Sequence, residues 1–456
     1  MLFSSDSVKF NHCRKVHIMA VYPHGDLSWF KEARFGMFIH WGLYSMPARH
    51  EWIRHYEEIP DDRYQVYFDL FNPDLFEPEK WAKSAKAAGM KYFVITTKHH
   101  EGFCLFDSKY TDYKVTNTPA GRDLLREVVD AFRAEGLHVG LYYSLIDWHH
   151  PDFVIDRRNG PYRNLSDEEF KKHNEGRDMR RYAKYMRDQV TELLTNYGKI
   201  DIIWFDFSYP DKEHPEDITL GKGHQHWESE ELLKTVRSLQ PDIIIDNRLD
   251  LPGSGDIVTP EQYTPGRAMQ DENGNPVAWE GCQTFSGSWG YHRDEATWKS
   301  EDQCIKLLVD HVSRDGNLLM NVGPTARGVL DSRAEERLAG FARWMKFNSR
   351  SIYGCGSAPG LTAPDGCRYT WNEKTNRLYL HIYSWPFRYL ELPGLGGKVR
   401  YAQFLHDMSE ILFDEASAAA THKADTSAGN ISLKLPVLKP DVQVPVVEII
   451  LKDRLQ

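Results

Sequence analysis

Between about residue 26 and about residue 350, short apolar runs alternate with longer stretches that are apolar on one side only. The short runs are Phe35–Trp41, Lys91–Lys98, Val139–Ser144, Ile200–Phe207, Ile243–Arg248 and Asn317–Val322. Most are apolar at successive positions, as parallel strands covered on both faces are. The one-sided stretches are Pro78–Ala88, Arg122–Glu135, Arg177–Tyr197, Glu228–Leu239, Glu301–Arg314 and Arg333–Asn348, and they predict helices. Gly89, Gly136 and Gly198 follow three of them at helix-stop positions. Repeated strand–helix units predict a parallel sheet and, at this length, a (β/α)8-like TIM barrel, regular or irregular. A doubly wound open sheet is the rival, but it usually carries a glycine-rich turn after its first strand, and none is found here.

From about residue 365 the period changes to two. Arg377–Trp385, Tyr389–Pro393, Lys398–Leu405, Ile431–Pro436 and Val446–Asp453 alternate and are separated by Pro, Gly and Asn clusters. They predict a C-terminal antiparallel β-sandwich. Ala416–Asn430, rich in Ala, Ser and Thr, reads as an exposed loop. The 456 residues exceed one ordinary domain. The expected division is an N-terminal extension at 1–25, a catalytic barrel at 26–355 and the sandwich at 356–456.

Composition narrows the classes. A chain that is 41% hydrophobic and 27% charged fits a soluble globular protein with a sizeable core. The formal charge of -10 gives no electrostatic reason to expect a nucleic acid or an anionic membrane as partner. No segment approaches the ~20 apolar residues of a membrane helix. The first residues lack the apolar core of a secretory signal. The six cysteines show no metal-like pairing, so free thiols in a reducing, cytoplasmic setting are expected.

In a barrel, reacting groups gather at the C-terminal ends of the strands. Five successive strand candidates end in unusual polar residues: His40-Trp41, Lys98-His99-His100-Glu101, Tyr142-Tyr143-Ser144, Trp204-Phe205-Asp206 and Asp246-Asn247-Arg248. Packing does not call for such endings. Strand alternation puts Trp204 and Asp206 on one face, and Tyr142 and Ser144 on one face. His99 and His100 cannot both face inward unless the strand ends or bulges there. An aspartate at a strand end can simply cap the next helix or turn, but the rim of His and Arg around Asp206 favours a functional role. Arg248 could keep that carboxylate ionised. Adjacent histidines diverge and rarely chelate one ion, so hydroxyl recognition accounts for the set better than a metal, and no metal or cofactor is expected.

These residues fall within longer motifs. Trp29–Pro47 followed by Glu51-Trp52, Ala88–Tyr92 leading to Thr96–Phe103, Leu141–Ser144, Trp204–Asp206, Trp279-Glu280, Ser288–Tyr291, Gly316–Pro324 and Ile352–Gly354 occur in order. Together they resemble the family 29 α-L-fucosidases, from about residue 25 to about residue 355. The resemblance implies an exo-acting, retaining α-L-fucosidase that removes terminal fucose from oligosaccharides or glycoconjugates. It implies Asp206 as the nucleophile, and His40, Glu51, Trp52, His99, His100, Tyr142, Trp204, Arg248 and Trp289 around the sugar. Trp289 would pack on the fucose methyl group. Glu101 departs from the aspartate expected after the histidine pair, and Asp-Asn-Arg at 246–248 departs from the more usual Asn-Asp-Arg. The acid/base varies in position across the family. Glu261 is the first choice, and Asp256 and Glu280 are its rivals. Family habit also allows a homo-oligomer. The competing readings are a non-catalytic fucose-binding protein, a metal-dependent hydrolase, and a glycosidase for a fucose-related sugar.

Overall fold

The computed structural model describes residues 24–415 and 429–455. Residues 1–23 of the expected extension and most of the Ala/Ser/Thr-rich stretch lie outside them. Seven strands form one parallel sheet: β1 (Phe35–Ile39), β2 (Tyr92–Lys98), β3 (His138–Ser144), β4 (Ile202–Asp206), β5 (Ile244–Ile245), β6 (Glu280–Thr284) and β7 (Asn317–Val322). Their order is β5-β4-β3-β2-β1-β7-β6, and every pairing is parallel. This is a curled sheet with one regular strand fewer than a complete eight-stranded barrel. Between β5 and β6 the chain is irregular but still paired. Asp246 bridges Ile257, Val258 bridges Trp279, and Glu261 bridges Cys282. The apolar-run criterion missed β6, because Glu280–Thr284 has almost no apolar residues.

Alternation along the strands divides two cores. Phe38, Tyr92, Val94, Tyr142, Ile202, Trp204, Ile244 and Leu319 pack together inside the curl. Met37, Ile39, Phe93, Ile95, Leu141, Tyr143, Ile203 and Phe205 point the other way, into the core shared with the helices. Each such burial contributes about 2 kcal/mol. The flanking helices include Pro78–Ala87, Leu124–Ala134, Met179–Asn196, Ser229–Leu239, Glu301–Val312 and Ser332–Asn348. Their ends follow from local chemistry. Pro78 opens the first without losing a needed N–H, and Asp123 and Ser300 cap two others with side-chain oxygens. Gly89, Gly136 and Gly198 carry φ of +91°, +78° and +73°, which stop the helices before them.

Beyond the parallel sheet the strands are antiparallel: β8 (Cys367–Asn372), β9 (Arg377–Ile382), β10 (Tyr389–Leu392), β11 (Val399–Phe404), β12 (Phe413–Asp414), β13 (Ile431–Lys434) and β14 (Val446–Leu451). They form sheets ordered β10-β13-β12 and β11-β14-β9-β8. Both sheets contribute to one apolar core, with Leu392, Ile431 and Leu433 meeting Leu378, Leu380 and Val447. The five described cysteines are buried and unpaired. No described helix is long and apolar enough to cross a membrane.

Candidate active site

The C-terminal ends of the parallel strands surround a cavity of about 320 Å3. His40, Glu51, Trp52, His99, His100, Tyr142, Trp204, Asp206, Glu261 and Trp289 all line it. Glu280 does not, and Arg248 reaches it through the carboxylates it holds. The pairing of β2 with β3 slips between Thr96 and Lys98, and β2 ends at Lys98. His99 and His100 therefore follow the strand in a turn, which lets both rings face one cavity.

Asp206 closes β4. Tyr142 Oη donates to its Oδ2 at 2.7 Å, and Arg248 Nη1 donates to its Oδ1 at 2.7 Å. Burial first, and then the Asp206 charge, hold the Tyr142 phenol well above its ordinary range, so it stays a donor. Arg248 Nη2 donates to Glu261 Oε2 at 2.8 Å. The guanidinium is fixed by Thr259 and lies 4.4 Å from the centre of the Trp204 ring. One cation thus spans two carboxylates, Asp206 at the end of β4 and Glu261 in the irregular segment between β5 and β6. Asp246 is not part of the rim. Its Oδ1 accepts the backbone N–H of Phe205 at 3.0 Å and anchors the end of β4 to β5, and burial pushes its carboxyl well above the ordinary range.

The hydrogen-bond network sets the histidine tautomers. Asn321 Nδ2 donates to the Trp289 carbonyl at 2.6 Å, so its Oδ1 is the atom facing His40 Nδ1 at 2.7 Å. His40 must donate there. Ser144 gives its only proton to the Ile146 carbonyl at 2.8 Å, so it accepts from His100 Nδ1 at 2.7 Å. Burial first, and then His99, depress the pKa of both imidazoles well below 6.5. Two neutral rings therefore keep Nε2 as an acceptor for a ligand hydroxyl. Asn321 and Ser144 are functional positions that sequence reasoning left without a role, although both lie in motifs already singled out. Glu101 sits behind His99, its Oε2 3.4 Å from Nδ1, and makes no hydrogen bond.

Glu51 works on the backbone. Its Oε2 accepts from the N–H groups of Trp289 and Gly290, at 3.1 and 2.8 Å, and so hangs the Trp289 ring on the cavity wall. Its Oε1 is buried without a hydrogen bond. The docking of that loop requires Gly323, where a Cβ would lie 2.5 Å from Tyr291 N. His50, Tyr56, Phe207, Gln262 and Gly287 also line the cavity. His50, Gln262 and Gly287 come from loops, where no periodicity marks them; Tyr56 closes the four-residue helix Ile53–Tyr56, and Phe207 lies just past the end of β4.

The rival carboxylates are elsewhere. Asp256 accepts from Gly25 N, Ile245 N and Arg237, and is a buried structural clamp. Glu280 is wholly buried at the start of β6, accepting from the Tyr92 hydroxyl. The Trp204 indole N–H approaches the same carboxyl without meeting hydrogen-bond geometry. Burial pushes the Glu280 carboxyl up to about 7 from 4.5, against the pull of Tyr92 and Trp204. The folded protein then binds this proton more tightly than the unfolded chain, so its contribution is present at low pH and is lost as pH rises toward about 7. Glu280→Gln stays neutral. Its stability relative to wild type should therefore rise by about 3 kcal/mol from about pH 5 to about pH 8, read from denaturant unfolding. A difference that stays flat with pH would refute this.

A parallel curled sheet carrying two carboxylates in a polar and aromatic pocket is the arrangement of a glycoside hydrolase. The comparisons agree. A family model described as Alpha-L-fucosidase matches residues 23–350, and the chain belongs to that family. The plasma alpha-L-fucosidase of Rattus norvegicus is 31% identical over 392 residues, 79% of this chain and 78% of that protein. Alpha-L-fucosidase isoenzyme 1 from Paenibacillus thiaminolyticus superposes with a TM-score of 0.86 at 46% identity, covering 94% of this chain and 99% of that one. A Bacteroides thetaiotaomicron GH29 alpha-L-fucosidase has been trapped as a covalent intermediate with 2-fluoro-fucosyl fluoride in a glutamate-to-glutamine variant. It matches with a TM-score of 0.79 at 27% identity, over 95% of this chain and 98% of that one.

Proposed function

We propose that this chain is an exo-acting α-L-fucosidase that hydrolyses terminal fucose from glycans with retention of configuration. The observation that carries this reading is Arg248, which donates to Asp206 from one guanidinium nitrogen and to Glu261 from another. Retention needs two carboxyl groups roughly 5–5.5 Å apart, and sharing one guanidinium keeps them close.

In this reading Asp206 attacks the anomeric carbon and forms a fucosyl ester. Glu261, in its protonated form, gives its proton to the departing oxygen and then takes one from the incoming water. Tyr142 and Arg248 hold the carboxylate in line before attack and stabilise the oxygen that becomes the ester carbonyl. His40 and His100 accept from ring hydroxyls through Nε2, and His99 adds a third imidazole. Trp289 offers an apolar wall to the fucose methyl group. Glu51, by holding the Trp289 loop, positions that wall. A non-catalytic binding protein would have no use for a nucleophile held by two donors beside a second carboxylate. The bridges at Ile257, Val258 and Glu261 support reading residues 256–262 as an eighth, irregular stave that closes a barrel. The antiparallel sheets' own apolar core supports a catalytic unit at 26–355 and a supporting sandwich at 356–456, with Tyr379, Leu405, Val444 and Val446 of the sandwich packed into the larger core.

The test is hydrolysis of 4-nitrophenyl α-L-fucoside followed by proton NMR. The first fucose formed should be the α anomer, before mutarotation. First-formed β-fucose would refute retention, and failure to cleave either the aryl fucoside or fucosylated oligosaccharides would refute the activity.

A further inference from the structure

The cavity has a closed end and an open one. His40, His99, His100, Trp204 and Cys282 are buried at the closed end, while Glu261 and Gln262 are exposed at the mouth. Resting on the fucosidase reading, we propose that Gln262 binds the leaving sugar through a hydroxyl next to the cleaved bond, and so makes the enzyme prefer a polyhydroxylated leaving group to one without hydroxyls.

Its position follows from the direction of the reaction. In a retaining displacement Asp206 attacks one face of the anomeric carbon. The leaving oxygen departs from the opposite face and takes the proton of Glu261. The fucose fills the closed end, so the first ring of the leaving sugar lies beside Glu261 and toward the mouth. Gln262 is the next residue in the chain and lines the same cavity.

The backbone turns Gln262 toward that space. Glu261 bridges Cys282 in parallel, so their side chains share a face, and Cys282 belongs to the core inside the curl. On a regular strand Gln262 would point the other way. Its φ of +60° is a left-handed value, uncommon for a residue with a side chain. Its N–H still donates to the Cys282 carbonyl at 3.0 Å, which anchors the turn to β6. The turn brings the side-chain amide onto Thr284, two residues beyond Cys282 on the same face of β6.

The amide arrives with its orientation set. The Thr284 hydroxyl gives its only proton to the Ser286 carbonyl, so it accepts from Gln262 Nε2 at 3.0 Å. Oε1 is then the atom left over, and among the described residues no group donates to it. One Nε2 hydrogen also remains. An acceptor and a donor on one fixed amide suit a sugar hydroxyl, which can fill both roles. A group already held in place loses little entropy when its ligand binds. Arg248, the other polar group beside Glu261, is already engaged with Asp206, Thr259 and Glu261.

The experiment compares kcat/KM of wild type and Gln262→Ala on two substrates with unactivated leaving groups. One is the best-cleaved of a panel of fucosyl-galactose disaccharides, and the other is cyclohexyl α-L-fucoside. Both need the proton of Glu261, but only the sugar offers hydroxyls to Gln262. The variant should lose roughly five- to tenfold on the disaccharide, the worth of one hydrogen bond, and stay within about twofold of wild type on the cyclohexyl fucoside. 4-Nitrophenyl α-L-fucoside separates a contact from a structural role. Release of fucose from Asp206 does not involve the leaving sugar, so steady turnover should be unchanged, with no burst of nitrophenol beyond that of wild type. Equal losses on the first two substrates, or a new burst, would mean that Gln262 acts by placing Glu261, and would overturn the proposal. So would an undiminished rate on the disaccharide. If the cyclohexyl fucoside is cleaved too slowly to measure, the nitrophenyl readout decides. Gln262 is exposed, so the alanine variant should fold. If it does not, Gln262→Met, which keeps the length of the side chain without its amide, takes the same readings. A wild type that cleaves the aryl fucoside and no disaccharide overturns the proposal alone, and no release from any of these substrates removes the fucosidase reading itself.

Discussion

Replacing Asp206 by alanine should lower kcat/KM by roughly 10⁴-fold or more while leaving the protein folded. The effect is large because the carboxylate forms and then releases the only covalent bond to the sugar, and no neighbour can replace it. Tyr142 is a phenol held protonated, His100 Nε2 is 3.9 Å from Asp206 Oδ2, and Arg248 is a cation. Folding should survive because Arg248 keeps Glu261 and Thr259 as partners. Asp206→Gly extends the test. The space left by the carboxylate should admit azide, which attacks the same face and yields β-L-fucosyl azide from an activated fucoside. Turnover within tenfold of wild type in Asp206→Ala would remove Asp206 from the mechanism.

Glu261→Ala should depend on the leaving group. For a sugar leaving group the loss should be roughly 10²–10⁴-fold, the usual range for general acid–base catalysis. For 4-nitrophenyl fucoside the first step needs little protonation, so the fucosyl-enzyme should accumulate and a burst of nitrophenol should precede a slow steady state. Azide needs no general base. It should restore steady turnover and give α-L-fucosyl azide, the retained product. Glu280→Ala should give neither the burst nor the azide product, because Glu280 lies beneath Trp204 and outside the pocket. The opposite pattern, with azide rescue at Glu280 and none at Glu261, would exchange their roles.

The strand ends carried most of the pocket, and they were legible because a charged or imidazole side chain closing an apolar run has few packing explanations. His40 and Asp206 belong to this group, and Tyr142 and Trp204 lie on runs with such polar endings. Alternation alone places Trp204 and Asp206 on one side of β4. Arg248 and Glu261 were also named, but their relation was not. They are separated in sequence by an irregular segment, and only the bridges from Asp246 to Ile257 and from Glu261 to Cys282 bring the carboxylate back to Asp206.

Burial on one or both faces leaves a periodic trace, and that trace alone established the repeated strand–helix units, the change to period two and the polar residues that close the apolar runs. Which carboxylates share the pocket was settled by folding. Asp256, Glu261 and Glu280 are alike in sequence, each an acid in or beside a short apolar or aromatic stretch. Folding sends Asp256 to Arg237, Glu280 to Tyr92 and Glu261 to Arg248. It also sets the tautomers of His40 and His100, through Asn321 and Ser144 on other strands, and it hangs Trp289 on Glu51 from more than 200 residues away. These relations depend on which loops meet at one end of the sheet, and hydrophobic periodicity carries no record of that.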